Sequence, residues 1–251
     1  MTPMKMLATA GMVLLALGGK AIAGQTNIAV AANFTDTAKE IAAAFKAKTG
    51  HEAVLSFGST AQLYTQITQD APFQIFLSAD AERPQKTVDD GLGVAESKFT
   101  YAVGKLVLWS KAPDLVKGEE TLKSGQFSKI AIANPAAAPY GAAAVEVMKK
   151  LNVYDTLAPK IVQGNNIAQT HQFIDTGNAE LGFIALSQLA GKEGGSLWMA
   201  PQTLYAPIKQ DAVLLKKGAS NEAATGFMTF LKGPEARAII KKYGYAVDGE
   251  S

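Results

Sequence analysis

The sequence predicts an α/β fold of two lobes, each a mainly parallel sheet flanked by helices, joined by a double crossover. Three observations predict it. Short apolar runs alternate with stretches of helical spacing along the chain, the pattern of parallel sheets built from strand–helix units. The alternation falls into two series. Two longer extended runs, residues 101–110 (YAVGKLVLWS) and 204–215 (LYAPIKQDAVLL), separate the series and are long enough to pass between lobes.

In the first series, residues 27–31 (NIAVA) read as a strand. Behind them Phe34, Ala38, Ile41, Ala42 and Phe45 recur on one helical face, and Gly50 stands where a C′ glycine ends a helix. Residues 52–57 (EAVLSF) give a second strand, 61–69 a helix, 73–77 (FQIFL) a third strand and 83–90 a further helix. The second series has strands at 129–133 (KIAIA), around Ile161-Val162 and at 181–185, with helices at 141–151 and 167–176. Two helices, 221–231 and 234–243, are split by Gly233-Pro234 and return to the first lobe. The expected domains are residues 24–104 with 207–251 as the first lobe and 105–206 as the second.

The N-terminus sets the compartment. Lys5 precedes an apolar stretch from Leu7 to Leu17, and Ala21-Ile22-Ala23 supplies small residues ahead of Gly24. This is the pattern of a secretory signal peptide, residues 1–23, and it is too short for a permanent membrane span. Its only charges are Lys5 and Lys20, so removing it takes the formal net charge from +2 to zero. A neutral chain offers no basic surface for nucleic acid or anionic lipid. Cysteine is absent, which excludes thiolate chemistry, disulfides and a lipid-anchored cysteine, and only two histidines are present. The expectation is a free, monomeric periplasmic protein with no membrane insertion.

The openings of the helices carry the functional reading. Ala31-Ala32-Asn33-Phe34-Thr35-Asp36, Gly58-Ser59-Thr60-Ala61-Gln62, Asn134 to Gly141, and Gly164-Asn165-Asn166-Ile167-Ala168-Gln169 each place small polar residues between a strand and a helix. Asn33 with Asp36, Ser59 with Gln62, and Asn166 with Gln169 have capping spacing. One such opening is ordinary helix capping. Four at the carboxyl ends of strands, two from each series, converge on the crevice where open α/β sheets bind ligands. Helix N-termini present unpaired N–H groups and the positive end of the macrodipole, so the crevice suits an anion. Ser59, Thr60, Tyr140 and the Asn33 amide add donors, and no opening contains Lys or Arg. Such a site favours oxyanions that carry no proton, sulfate, molybdate or tungstate, over hydrogen phosphate. Asp36 is the one acidic residue and is expected to face away.

The segments VAANFTDTAKEIAAAF, SFGSTAQLYTQI, APFQIFLSAD, NPAAAPYG, LGFIALS and FLKGPEARAIIKKYGY resemble the periplasmic molybdate-binding proteins of ATP-driven importers, in the same order along the chain. The resemblance implies a two-lobed periplasmic-binding-protein fold of type II, capture of molybdate or tungstate without any reaction or cofactor, and delivery to a membrane permease of an ABC importer. It further implies ligands at Asn33, the Ala32 backbone, Ser59 and Thr60 in the first lobe, and at Tyr140 and the Ile167 backbone N–H in the second. Two positions depart from the family pattern. Asn33 stands where many members have serine, and Ala185 stands where many have a ligating tyrosine, leaving Tyr140 to supply a hydroxyl.

Other readings keep or change the fold. A sulfate or thiosulfate binder would differ only in cavity size. An iron binder would need a tyrosine cluster with His or acidic ligands, whereas Tyr243 and Tyr245 read as helix end and packing. A secreted hydrolase using Ser59 would need a nearby base, and Gly58-Ser59-Thr60 lacks the second glycine of a nucleophile elbow. Trp109 and Trp198 read as packing residues, and Asp80 as an N-cap. Hinge bending is expected near Gly104 and Pro207.

Overall fold

The computed structural model describes residues 23–247, so the predicted signal peptide, residues 1–23, lies outside the described residues except for Ala23. Strand β1 (Gln25–Ala31) runs through a 3-10 turn (Ala32–Phe34) into α1 (Thr35–Thr49). Then follow β2 (Glu52–Gly58), α2 (Thr60–Thr68), β3 (Ile75–Leu77), α3 (Glu82–Asp89) and β4 (Phe99–Gly104). The next series is β5 (Leu106–Ser110), α4 (Glu120–Ser124), β6 (Ile130–Ala133), α5 (Pro139–Lys150), α6 (Tyr154–Leu157), β7 (Ile161–Gly164), α7 (Ile167–Asp175), β8 (Leu181–Ala185) and β9 (Ser196–Met199). The chain closes with β10 (Ile208–Leu214), α8 (Glu222–Lys232) and α9 (Pro234–Lys242).

Among the described residues ten strands form two sheets of five, in the orders β2-β1-β3-β10-β4 and β7-β6-β8-β5-β9. In the first sheet β2, β1 and β3 are parallel, and β10 runs antiparallel to both β3 and β4. The second repeats the plan, with β7, β6 and β8 parallel and β5 antiparallel to β8 and β9. Each reversed strand is the one that has just arrived from the other sheet. This is the double crossover expected from the sequence.

Chemistry explains the layout. Strands β5, β6 and β8 are buried along their whole length, as both faces of a helix-covered parallel sheet require. The edge strand β2 alternates between exposed and half-buried positions instead. Helix α1 ends where Gly50 adopts φ 76°, a left-handed conformation, as its C′ position demanded. At Gly141 a side chain is impossible, because a Cβ there would lie 2.1 Å from the carbonyl oxygen of Ala133. The start of α5 is thereby pressed against the end of β6.

Two expectations change in detail. The run 101–110 is two strands, broken at the exposed Lys105, with β4 in one sheet and β5 in the other. In 204–215 the strand begins only at Ile208, after Pro207, which has no N–H to give a ladder. Strand β9 was not anticipated.

Candidate functional site

The carboxyl ends of the strands from both sheets meet around one small cavity. Its walls are Ala31, Ala32, Asn33, Gly58, Ser59, Thr60 and Ala79 from the first lobe, and Ala138, Pro139, Tyr140, Asn166 and Ile167 from the second. The empty volume is about 200 Å³. All four helix openings contribute, and all six residues singled out in the sequence, Ala32, Asn33, Ser59, Thr60, Tyr140 and Ile167, line it. Ala185 does not, although it is buried in the same apolar cluster as Tyr140 and Ile167.

Backbone donors come from the helix starts. Ser59 caps α2 and accepts from the N–H of Gln62 at 3.3 Å; Asn166 caps α7 and accepts from Gln169 at 3.0 Å. Ile167 is then the first residue of α7, where no intrahelical acceptor exists for its N–H. Pro139 opens α5 at a position where its missing N–H costs nothing, leaving Tyr140 as the first residue there with an N–H to offer. Ala32 and Asn33 open the 3-10 turn in the same way.

The hydroxyls share one polarity. Ser59 Oγ accepts from the N–H of Gln62, Thr60 Oγ1 from the N–H of Ala79 at 3.2 Å, and Tyr140 Oη from Nε2 of Gln210 at 3.1 Å. A hydroxyl has one hydrogen and two lone pairs. With an N–H already on the oxygen, the hydrogen of each is the group left to give. All three residues are buried. Burial, with the nearby Tyr245 and Tyr101, pushes the Tyr140 phenol well above its usual range, so it stays a neutral donor.

Asn33 behaves differently from the expectation. Its amide nitrogen donates to Gln210 Oε1 at 2.9 Å and to Tyr245 Oη at 3.0 Å, so both amide hydrogens are engaged within the protein. Its backbone N–H, at the opening of the 3-10 turn, has no acceptor within that turn. It does not act as a cap toward Asp36 either, and Asp36 pairs with the exposed Lys39 at 3.3 Å outside the cavity. Behind Asn33 lies a buried polar cluster that sequence reading missed. Tyr101 Oη lies 2.9 Å from Ser78 O and 3.2 Å from Gln210 Oε1, with one hydrogen to give between them. Tyr245 Oη lies 2.8 Å from Asn33 O and 2.8 Å from Ser187 Oγ. Tyr245, read as packing, is part of the support of the site.

Charge stays out of the cavity. Arg83, on α3, is the nearest exception: it donates to the carbonyl oxygen of Ala136 at 3.1 Å, but is paired with Asp80. Asp80 also accepts the N–H of Arg83 at 2.9 Å, but from one position before the N-cap of α3, which is Ala81 and not Asp80 as expected. Ser59 has no histidine partner: His51 accepts from Gly24 N, and His171 lies between Asp175 and Lys192. Among the described residues no group of three or more His, Asp and Glu side chains is arranged to hold a metal ion, and no helix is long and apolar enough to cross a membrane.

The lobes are in contact around the cavity. Ala61 N donates to Ala137 O at 3.1 Å, alongside the Arg83–Ala136 and Gln210–Tyr140 bonds. At the same place Ala31, Ala32 and Ala79 join Ala138, Tyr140 and Ile167 in one apolar cluster. The donors therefore sit on buried residues in an uncharged enclosure.

A family model described as bacterial extracellular solute-binding protein matches residues 26–246. The molybdate-binding protein ModA of Rhodobacter capsulatus is 57% identical over 241 residues, 96% of this chain and 96% of that one. The molybdate-binding protein ModA of Azotobacter vinelandii is 52% identical over 229 residues, 90% of this chain and 91% of its own length. Among solved structures, the periplasmic molybdate-binding protein of Azotobacter vinelandii has a TM-score of 0.86 at 42% identity, covering 88% of this chain and 99% of that one. The sulfate-binding protein SubI from Mycobacterium tuberculosis has a TM-score of 0.78 at 12% identity, covering 90% of this chain and 88% of its own, a likeness of fold alone. Matched along nearly its whole length by the family model and by relatives more than half identical to it, this chain belongs to the bacterial extracellular solute-binding proteins.

Proposed function

We propose that this protein captures molybdate, and tungstate with it, between its two lobes and delivers the anion to the membrane permease of an ABC importer. It works as a monomer in the periplasm and carries out no reaction. The observation that carries the reading is the common polarity of Ser59, Thr60 and Tyr140, each with an N–H on its oxygen and a hydrogen left to give. A fully deprotonated tetrahedral dianion is the ligand such donors suit, because it can accept at every oxygen and has no proton to place. The names of the relatives at 57% and 52% identity support molybdate among such dianions.

The proposed ligand set is Ser59 and Thr60 with the backbone N–H groups of Ala32 and Asn33 on one side, and Tyr140 with the Ile167 N–H on the other. Charge-assisted hydrogen bonds contribute about 1.5–3 kcal/mol each. Several of them exceed an association cost of at least about 4 kcal/mol, enough for micromolar affinity or better. The lobes are residues 24–104 with 207–251, and 105–206, and they open and close by bending near Gly104 and Pro207. With no counter-charge in the cavity, selection among dianions is by size: an oxyanion smaller than molybdate leaves some of the fixed donors out of reach.

Isothermal titration of the protein with molybdate, tungstate, sulfate and hydrogen phosphate tests this. One-to-one binding of molybdate and tungstate is expected, with sulfate at least about a hundredfold weaker, a gap of about 2.7 kcal/mol. Tight sulfate binding would keep the site and change the ligand, and no binding by any of the four would remove the oxyanion reading.

A further inference from the structure

We infer that Gln210 is a positioning residue that fixes the direction of the Tyr140 hydroxyl and so strengthens the hold of the site on its ligand. The inference depends on the oxyanion reading of the cavity.

Gln210 is fully buried on β10, one of the two strands that have crossed between lobes. Its single amide reaches a candidate ligand residue on each side. Nε2 donates to Tyr140 Oη of the second lobe at 3.1 Å, and Oε1 accepts from Asn33 Nδ2 of the first at 2.9 Å. The Asn33 amide is held in turn by Tyr245 Oη at 3.0 Å. Amide donors and acceptors therefore run in one sense, from Asn33 through Gln210 to Tyr140. At the end of that relay the tyrosine oxygen receives a hydrogen, and its own hydrogen is turned elsewhere.

Space enforces the contact. A Cβ on Gly104 would lie 2.1 Å from Tyr140 Oη and 2.8 Å from Gln210 Nε2. The hydroxyl is thus wedged between the crossover backbone and the glutamine, close to Tyr245, in a residue that also lines the cavity. Remove the Nε2 donor and the hydroxyl is free to turn about its C–O bond, so its hydrogen loses the direction that the glutamine imposes.

The test is a double-mutant cycle read by titration with molybdate. Gln210→Met is expected to weaken molybdate binding about tenfold in the native background and less than twofold in Tyr140→Phe. Gln210→Glu keeps the volume, replaces the donor by an acceptor and serves the same cycle should the methionine variant not fold. Additive losses would overturn the inference while leaving the binding function intact. Failure of the unmutated protein to bind molybdate would instead remove the oxyanion reading on which it depends.

Discussion

Ser187 Oγ donates to the main-chain oxygen of Asn33 across 3.0 Å, joining the turn after β8 to the turn after β1. The two residues belong to different lobes, and both are buried. The bond exists only when the lobes are together. Ser187→Ala removes it without touching the cavity wall. A neutral hydrogen bond contributes about 1 kcal/mol net, so ligand affinity should fall about fivefold, through faster dissociation, with the order of preference among anions unchanged. Stopped-flow release of molybdate measures it, and an unchanged off-rate would show that this contact does not hold the closed form.

Tyr140→Phe removes one donor and leaves the ring in place. A loss of about 10- to 100-fold in molybdate affinity is expected from a charge-assisted bond of about 1.5–3 kcal/mol. The ligand-free protein should remain folded by circular dichroism. Unchanged affinity would take Tyr140 out of the ligand set.

Ser59 and Asn166 are both caps, yet they should separate. Ser59→Ala loses a cap, about 1 kcal/mol of stability, and a donor hydrogen, so both the unfolding midpoint and the affinity fall. The Asn166 side chain accepts from Gln169 N at 3.0 Å and has no assigned donor role toward the ligand. Asn166→Ala should therefore destabilise by a similar amount while affinity changes less than about threefold. Urea melts and titration on the same preparations decide this.

Gly104→Ala puts a methyl group where Tyr140 Oη lies. The clash arises only in the closed form, because Tyr140 belongs to the other lobe. Ligand-induced compaction measured by small-angle scattering should disappear, and molybdate affinity should fall more than about a hundredfold. Normal compaction in this variant would mean that Tyr140 yields and the hinge is elsewhere.

Burial raises the phenol pKa of Tyr101, Tyr140 and Tyr245 above the ordinary value. In the unfolded chain these groups ionise near pH 10. Below that pH both states hold the proton and the shift has no effect on the pH dependence. Above it the unfolded state loses protons that the folded state keeps, so stability falls as pH rises, by up to about 1.4 kcal/mol per pH unit for each tyrosine. Urea midpoints should be flat with respect to these groups up to about pH 9 and drop steeply beyond 10. Replacing Tyr101 with Phe should reduce that slope, and an unaltered slope would refute the assignment.

The sequence was legible where local rules act. Strand–helix alternation, the glycine after α1 and the capping pairs Ser59–Gln62 and Asn166–Gln169 are set by residues within a few positions of each other, and each is found where expected. Convergence of the four openings followed from strand direction alone. Asn33 and Asp36 have the same spacing as those caps, but Asn33 is captured by Gln210 and Tyr245, which lie 177 and 212 positions away. No local pattern announces such partners. Gln210 stands between Lys209 and Asp211, where nothing local sets it apart, and the partner of Ser187 is 154 positions away. The break at Lys105 escaped because the run 101–110 keeps its strand character on both sides of it. Strand β9 is only Ser196–Met199 and follows Gly194-Gly195, which read as loop.

The route of the chain through the two sheets has a consequence for the order in which the molecule matures. In the order of the first sheet β4 lies next to β10, which separates it from β3. A chain emerging from its N-terminus therefore makes β4 long before the strand that must lie beside it exists. Residues 105–206, by contrast, carry all five strands of the second sheet in one uninterrupted stretch. The later-made half is able to complete its sheet first, while the earlier-made half waits with an open gap for residues 208–214. Until they arrive, β3 and β4 present unpaired edges to the solvent, the form in which aggregation begins. Whatever shields the nascent chain has this interval to cover.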